Sequence, residues 1–167
     1  QTPSAFAPLV DADVAAGAPP LALRFVVLAG EALDAQSLAP WIESRGDARP
    51  KLINMYGPTE TTVYVTYHEV SKADLERTAS VIGKGFSDTP ILILDRDRQL
   101  LPWGAIGEAY IGGPGVARGY FNRPDLTAER FVGNPFATSS CDTLYRTGDL
   151  ARFLADGSIE YHGRADH

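Results

Sequence analysis

Residues 54–62 read Asn-Met-Tyr-Gly-Pro-Thr-Glu-Thr-Thr and bring together groups that could bind a nucleotide with its metal ion. The Tyr56 ring can stack on a purine, and the Gly-Pro turn after it brings backbone close to a phosphate. The Thr59 hydroxyl can bond a phosphate oxygen, and Glu60 offers the hard oxygen that a divalent cation prefers. A plain turn between strands with one exposed acid is equally compatible with this segment alone.

Further motifs follow in order along the chain. They are GEAYIGG at residues 107–113, GVARGYFNRPDLTAERF at residues 115–131, YRTGDLARFL at residues 145–154 and YHGRADH at residues 161–167. Glycine-rich turns and a carboxylate in the third of these could also serve a ligand, or could simply end short strands. Their order along one chain favours a shared functional site.

The elements predicted around the first motif are those of an open α/β sheet. They are a capped amphipathic helix at residues 2–17, strands at residues 21–29, 51–54 and 63–70, and a helix at residues 35–44. The helix prediction rests on Thr2 as the cap, Pro3 at the first position and apolar residues at helical spacing. Because ligands bind at strand ends in such sheets, the motif is well placed for a site.

Past residue 80 the pattern changes to short strands divided by glycine. Strands are predicted at residues 91–95, 108–111, 150–154 and 158–161, with one or two helical turns at residues 125–131. The Asp156-Gly157 pair is typical of a hairpin turn. This half is predicted to be a small β-barrel, and residues 71–80 are the predicted boundary between domains at residues 1–75 and 76–167.

Composition narrows the class of protein. The chain has 167 residues, 44% of them apolar and 22% charged, with a net charge of −6 and a single cysteine, Cys141. We expect a soluble, cytoplasmic protein with no disulfide framework, no basic stripe for nucleic acid and no membrane span. Because Gln1 stands where an initiator Met would be, the chain is interpreted as a fragment.

Together the motifs closely resemble the adenylate-forming superfamily, and their wording is similar to an amino-acid adenylation domain of a nonribosomal peptide synthetase. The resemblance covers nearly the whole chain. It implies the later part of the large N-terminal core, up to the hinge. The implied fold is the end of a flavodoxin-like α/β subdomain followed by a small distorted β-barrel subdomain.

The resemblance also implies a reaction and its participants. A substrate carboxylate attacks the α-phosphate of ATP, pyrophosphate leaves, and a carrier thiol later captures the mixed anhydride. The implied cofactors are ATP, Mg²⁺ and the phosphopantetheine of a partner carrier. The implied partners are an amino acid, a peptidyl carrier domain, a condensation domain and, in some systems, an MbtH-like protein docking near residues 126–131.

Site residues are carried over by position in the motifs. Thr59 and Glu60 match catalytic positions, with Glu60 linked to magnesium and Asp166 at the hinge. The nucleotide-binding positions are Gly30, Glu31, Asn54, Tyr56, Gly57, Thr59, Asp149, Tyr161 and Arg164. The substrate-pocket positions are Val27, Ala29, Met55, Val63 and Tyr64. Each of these residues could instead have a purely structural role, in a turn, in the core of the sheet or on the solvated surface.

The implied substrate pocket is largely apolar with one phenol, which favours a medium-sized, uncharged side chain. Met55 and Val63 are similar to threonine-type pockets, whereas Tyr64 departs from the histidine expected there. The family's phosphate loop, its ammonium-binding aspartate and its mobile C-terminal subdomain would lie outside this sequence. We therefore expect little or no adenylation from the isolated chain.

Two other functions stay open at this stage. An acyl- or aryl-CoA ligase shares the TGD and TE motifs, although it usually lacks a segment like GVARGYFNRPDLTAERF. A non-catalytic interaction module would use the same glycines for β-turns and keep the acids on its surface. Nucleotide binding distinguishes the second alternative from an enzyme.

Overall fold

The computed structural model describes residues 1–137 and 143–165. Its strands are β1 Phe25–Leu28, β2 Lys51–Tyr56, β3 Thr66–Val70, β4 Ser80–Gly85, β5 Ile91–Leu94, β6 Gly107–Ile111, β7 Phe131–Gly133, β8 Thr143–Phe153 and β9 Ile159–Arg164. Its α-helices are α1 Pro3–Ala15, α2 Ala39–Arg45 and α3 Pro124–Arg130, with 3-10 turns at Ala35–Leu38, Thr59–Thr61 and Lys72–Glu76. The predicted hinge residue Asp166 and the cysteine Cys141 lie outside the described residues.

The strands form one hydrogen-bonded path in the order β1-β2-β3-β4-β9-β8-β6-β5, with β7 paired to β8. β1 and β2 are parallel, and the remaining pairs are antiparallel. β4 is the connecting strand, because it pairs with β3 on one side and β9 on the other. The predicted domain boundary at residues 71–80 covers the connection from β3 to the first residue of β4 and stays a prediction.

The opening helix begins as its sequence predicts. The Thr2 side chain accepts a hydrogen bond from Ala5 N, and Pro3 occupies the first turn. Phe6 and Val10 are buried, but Leu9 and Val14 are 45% and 41% exposed. The apolar stripe that α1 buries is therefore narrower than the sequence periodicity indicates.

Several strand predictions had the wrong limits. The strand expected at residues 63–70 begins only at Thr66, after the left-handed Val63, and the strands expected at residues 150–154 and 158–161 are Thr143–Phe153 and Ile159–Arg164. The strand expected at residues 21–29 is confined to Phe25–Leu28, where it pairs with β2. The strand expected at residues 51–54 continues to Tyr56, because β3 pairs with it as far as Tyr56 opposite Thr66. Met55 and Tyr56 therefore lie in a strand, which fixes their side-chain directions.

The buried apolar side chains of the described residues form three clusters, of which two bear on the site. In the first, Phe6 and Trp41 of the two helices pack with centroids 5.0 Å apart against Leu28 and Leu52. In the second, the buried members are Ile82, Ile93, Ala109, Ala151 and Ile159, and Tyr56 packs against them. Tyr56 thus belongs to β2 by sequence and to the second cluster by contact.

Within residues 1–137 and 143–165, no helix has the length and apolar character that crossing a membrane requires.

Candidate functional site

The end of β2 meets the middle of β8 through one hydrogen bond. The Tyr56 hydroxyl donates to Asp149 Oδ2 at 2.5 Å, and the Tyr56 and Tyr161 ring centroids lie 6.2 Å apart. Burial raises the pKa of the Tyr56 phenol, and the negative charge of Asp149 raises it further. The phenol is therefore protonated at neutral pH and acts as a donor.

The backbone around Asp149 is held by its neighbours in the Thr-Gly-Asp motif. Asp149 N donates to Thr147 Oγ1 at 2.9 Å, and that hydroxyl donates to Ala109 O at 2.8 Å. Arg164 Nη1 donates to Thr147 O at 2.9 Å and lies 3.4 Å from Asp149 Oδ1. These contacts orient the Asp149 carboxylate and the Arg164 guanidinium relative to each other.

A cavity of about 240 Å³ lies beside the Tyr56–Asp149 pair. It is lined by Ala29, Gly30, Glu31, Ala32, Asn54, Met55, Tyr56, Gly57, Pro58, Ser80, Ile82, Asp149 and Tyr161. Most of the positions predicted to bind nucleotide therefore share one cavity, although they come from β2, β8, β9 and the loop after β1. The walls combine aromatic rings with hydrogen-bonding groups, as small-molecule sites do.

Two of these lining residues use their side chains to hold the cavity together. The Glu31 carboxylate accepts from Ser4 N at 3.0 Å and from Ser4 Oγ at 2.7 Å, and these bonds lower the pKa of Glu31. The buried Asn54 amide donates to Val81 O at 2.8 Å and so ties β2 to β4. Each of these side chains thus braces the cavity wall.

A second cavity of about 260 Å³ adjoins the first. It is lined by Gln1, Thr2, Ala29, Gly30, Gly57, Thr59, Val63 and Tyr64, and it shares Ala29, Gly30 and Gly57 with the first. The predicted substrate positions are therefore divided, with Met55 in one cavity and Val63 and Tyr64 in the other. Val27 is not among the lining residues of either cavity, and its carbonyl accepts from Gln1 N at 2.9 Å.

Glu60 lies on the 3-10 turn Thr59–Thr61, beside an exposed Thr59. The Tyr120 hydroxyl donates to Glu60 Oε1 at 2.5 Å, and the Tyr145 hydroxyl lies 3.4 Å from that of Tyr120. Burial alone would raise the pKa of Glu60, but hydrogen bonds from Tyr120, from the Glu60 backbone and from Tyr145, together with the charge of Arg130, lower it more. Glu60 is therefore a carboxylate at neutral pH.

Tyr120 and Tyr145 are the residues that the sequence interpretation missed. Both belong to motifs that it singled out, GVARGYFNRPDLTAERF and YRTGDLARFL, but neither was given a role. The available signal was a phenol in each motif. Sequence spacing alone could not show that both phenols meet near the same carboxylate.

The motif that contains Glu60 implies a magnesium ion, and the side chains near Glu60 can be compared with the ligands that Mg²⁺ requires. No cluster of three or more His, Cys, Asp or Glu side chains suitable for a metal occurs in residues 1–137 and 143–165. Mg²⁺ commonly binds through only one or two carboxylates, with substrate phosphates and waters completing its octahedron. A single ionised Glu60, next in sequence to Thr59 of the second cavity, fits that mode of binding, although Glu60 itself is not among the lining residues of either cavity.

Comparison with known proteins identifies the family of this chain. The model of the family described as AMP-binding enzyme matches residues 1–121. Malpinin synthetase of Mortierella alpina is 48% identical over 166 residues, which are 99% of this chain and 2% of that protein. Syringomycin synthase SyrB1 of Pseudomonas syringae pv. syringae is 49% identical over 167 residues, which are 99% of this chain and 26% of that protein.

Solved structures share the fold. PA1221, a nonribosomal peptide synthetase protein containing adenylation and PCP domains, has a TM-score of 0.85 and 34% identity over 98% of this chain. NpsA-ThdA, an artificially fused adenylation-PCP di-domain from Klebsiella oxytoca, has a TM-score of 0.82 and 26% identity over the same share. The chain spans 32% and 29% of those chains. It therefore belongs to the AMP-binding enzyme family, and within that family it is homologous to adenylation domains of nonribosomal peptide synthetases.

Proposed function

We propose that this chain supplies the nucleotide-binding face of a domain that activates an amino acid as aminoacyl-AMP and loads it onto a phosphopantetheinyl carrier. The observation that carries the proposal is the Tyr56–Asp149 hydrogen bond, which unites two family motifs at one cavity. The structurally similar protein PA1221 supports the loading of a carrier, because it contains both adenylation and PCP domains.

The proposed roles follow from what each group can do. Asp149 accepts hydrogen bonds from the vicinal ribose hydroxyls, and Tyr56 and Tyr161 offer ring surface to the adenine. Thr59 and Arg164 donate to phosphate oxygens, the latter through a directional guanidinium. Glu60 is the ligand for Mg²⁺, which when bound neutralises negative charge on the phosphates.

The proposed reaction is a displacement at phosphorus. An oxygen of the amino-acid carboxylate forms a bond to the α-phosphorus of ATP, the bond to the bridging oxygen breaks, and pyrophosphate leaves. The carrier thiol then attacks the acyl carbon, gives up its proton and releases AMP. Positioning and electrostatic stabilisation supply most of the catalysis in such phosphoryl chemistry.

The cavities also indicate a substrate class. Met55 lines the first cavity, Val63 and Tyr64 line the second, and Ala29 lines both, so the predicted substrate positions that line a cavity are apolar apart from the Tyr64 phenol. We therefore propose an uncharged amino acid of medium size. Because the chain spans about a third of the solved adenylation proteins, we expect adenylation only from the complete domain.

The partners proposed for the complete protein are a peptidyl carrier domain, a neighbouring condensation domain and, in some systems, an MbtH-like protein. Multimodular relatives support the first two. A dimodular nonribosomal peptide synthase of Bacillus subtilis (strain 168) is 46% identical over 170 residues, which are 100% of this chain and 7% of that protein.

Amino-acid-dependent pyrophosphate exchange by the complete domain tests this function. A panel of amino acids is compared for the wild type, for Glu60→Gln and for a matched control, Glu69→Gln, whose exposed carboxylate pairs with Lys51 at 2.8 Å. We expect exchange with one or a few uncharged amino acids, a loss of about 100-fold in Glu60→Gln and no loss in the control.

Other outcomes point to other functions. No exchange with any amino acid, combined with CoA-dependent turnover of fatty or aryl acids, would place the protein among acyl- or aryl-CoA ligases. Failure of the complete domain to bind ATP at all would favour an interaction module without catalysis.

A further inference from the structure

The backbone of Glu60 is held by a loop that lies far away in sequence. Residues 113–120, named the clamp loop, run along the 3-10 turn Thr59–Thr61. Ala117 N donates to Glu60 O at 2.8 Å, and Thr62 Oγ1 donates to Gly115 O at 2.8 Å. A Cβ on Gly115 would lie only 2.9 Å from Thr61 O, so the contact depends on a residue without a side chain.

The turn that carries Glu60 is conformationally costly by itself. Thr62 and Val63 both have left-handed backbones, with φ of 61° and 72°, although both are β-branched. Such conformations cost about 1–3 kcal/mol each and persist only where the surroundings enforce them. The two hydrogen bonds with the clamp loop help to enforce them, beside the bonds within the turn from Thr61 N to Pro58 O and from Thr62 N to Thr59 O.

The clamp loop ends in Tyr120, whose phenol is fixed in place. Its ring packs edge-on against Phe131 at 5.4 Å, and Phe131 packs against Tyr145 at 5.2 Å. Tyr120 N donates to Thr127 Oγ1 at 2.9 Å, which anchors the loop to helix α3. The hydroxyl therefore has little freedom to leave Glu60.

A phenol is well suited to hold a metal-binding carboxylate. It donates a hydrogen bond that orients Glu60, but unlike Lys or Arg it brings no positive charge to compete with a cation. Partners of this kind, one step removed from a metal, commonly affect its affinity strongly. The 2.5 Å bond thus orients Glu60 while preserving its full negative charge.

We propose that Tyr120 is a positioning residue for Glu60, and that the clamp loop sets the geometry with which this carboxylate receives the divalent cation of the bound nucleotide. This inference rests on the proposed function. Tyr120 itself contacts neither the cation nor the reacting atoms, and acts through Glu60.

The test uses Tyr120→Phe in the complete domain, with binding of Mn²⁺ in the presence of ATP measured by electron paramagnetic resonance and no amino acid added. We expect the dissociation constant of Mn²⁺ to rise about tenfold, because the orienting hydrogen bond is lost while the ring packing stays. The Mg²⁺ concentration for half-maximal pyrophosphate exchange should rise by the same factor, while the KM for the amino acid stays within about twofold.

The matched control is Tyr110→Phe, which removes a phenol–carboxylate hydrogen bond of 3.3 Å to Glu108. It should leave the Mn²⁺ affinity unchanged. In a Glu60→Gln background, Tyr120→Phe should have no further effect, because the carboxylate through which it acts is gone.

A second variant, Thr62→Val, removes the bond to Gly115 O without touching Glu60 or Tyr120 and should also weaken Mn²⁺ binding. The melting temperature shows which of the two variants, Tyr120→Phe and Thr62→Val, keeps the wild-type stability. If such a variant also keeps the wild-type Mn²⁺ affinity, the inference is overturned. In that case the proposed function still stands, provided that the wild type shows amino-acid-dependent exchange and Glu60→Gln lowers it by about 100-fold.

Discussion

The Tyr56 hydroxyl and the Asp149 carboxylate, 93 positions apart, are joined by a hydrogen bond of 2.5 Å. Tyr56 is the last residue of β2, and Asp149 lies within β8, the longest of the described strands. The cavity beside them is lined by residues of β2, β8 and β9, so it requires these three strands to be in place together.

Removing the Tyr56 hydroxyl should weaken nucleotide binding without removing the aromatic ring. In Tyr56→Phe, Asp149 loses a hydrogen bond to a charged acceptor, which is worth about 1.5–3 kcal/mol. Part of this free energy stabilises the fold, and only the part that orients Asp149 for the ligand affects binding. We therefore expect ATP affinity to fall by about three- to tenfold. Isothermal titration calorimetry with the complete domain measures the ATP affinity. The control is Tyr67→Phe, because the Tyr67 side chain is half-exposed and stacks on Phe86.

Changing Tyr64 should alter amino-acid selection and spare the nucleotide. Tyr64 and Val63 line the second cavity and are 38% and 54% exposed, whereas the Tyr56–Asp149 pair lines the first. Tyr64→Ala should change kcat/KM ratios among amino acids by about tenfold, as expected for a pocket contact. ATP affinity should stay at its wild-type value. Unchanged ratios would remove Tyr64 from the substrate pocket.

Adding a methyl group at Gly57 should destabilise the protein. A Cβ there would lie 2.2 Å from Val63 O and 2.7 Å from Tyr64 Cα, both backbone atoms. We expect Gly57→Ala to cost about 1–3 kcal/mol of unfolding free energy. Gly133→Ala in β7 meets nothing within 4 Å and should be neutral or slightly stabilising. Urea unfolding compares the two, and equal stability would contradict the close approach.

Asp74 should stabilise the fold in a pH-dependent way. Burial would raise the pKa of Asp74, but hydrogen bonds from Ser71 and the charge of His68 lower it more, below its ordinary value of 3.8. Because the folded pKa is depressed, this stabilisation is fully present above 3.8 and is lost as pH falls through the folded pKa. Asp74→Asn should therefore cost about 1–3 kcal/mol at neutral pH.

Urea unfolding at several pH values measures the Asp74→Asn penalty. It should shrink in acid, as the pH falls through the depressed pKa of folded Asp74. Asp97→Asn, at a side chain that is 76% exposed, serves as the control. A penalty for Asp74→Asn that is the same in strong acid as at neutral pH would contradict this prediction.

The sequence predicted well what depends on local chemistry. Thr2 caps α1 with Pro3 in the first turn, and the helix expected at residues 125–131 forms as Pro124–Arg130. The fold class was also confirmed by the similarity to solved adenylation proteins. Caps, proline and turn residues act over a few positions, so their signals are readable along the chain.

What the sequence did not predict depends on distant partners. β2 extends to Tyr56 because β3 pairs with it, and the contact of Tyr120 with Glu60 spans 60 positions. Propensity and periodicity contain no information on which strand end meets which loop. The Glu31 side chain illustrates the same limit, since its hydrogen bonds go to Ser4 at the start of α1.

The central claim is that Asp149 binds the ribose of a nucleotide held beside Tyr56. The most direct test is a thermodynamic cycle that compares ATP with 2′,3′-dideoxy-ATP binding to the complete domain, in the wild type and in Asp149→Ala. We predict that the wild type binds ATP at least about tenfold more tightly than the dideoxy analogue, and that this preference disappears in Asp149→Ala. An equal preference for ATP in both proteins would contradict the claim.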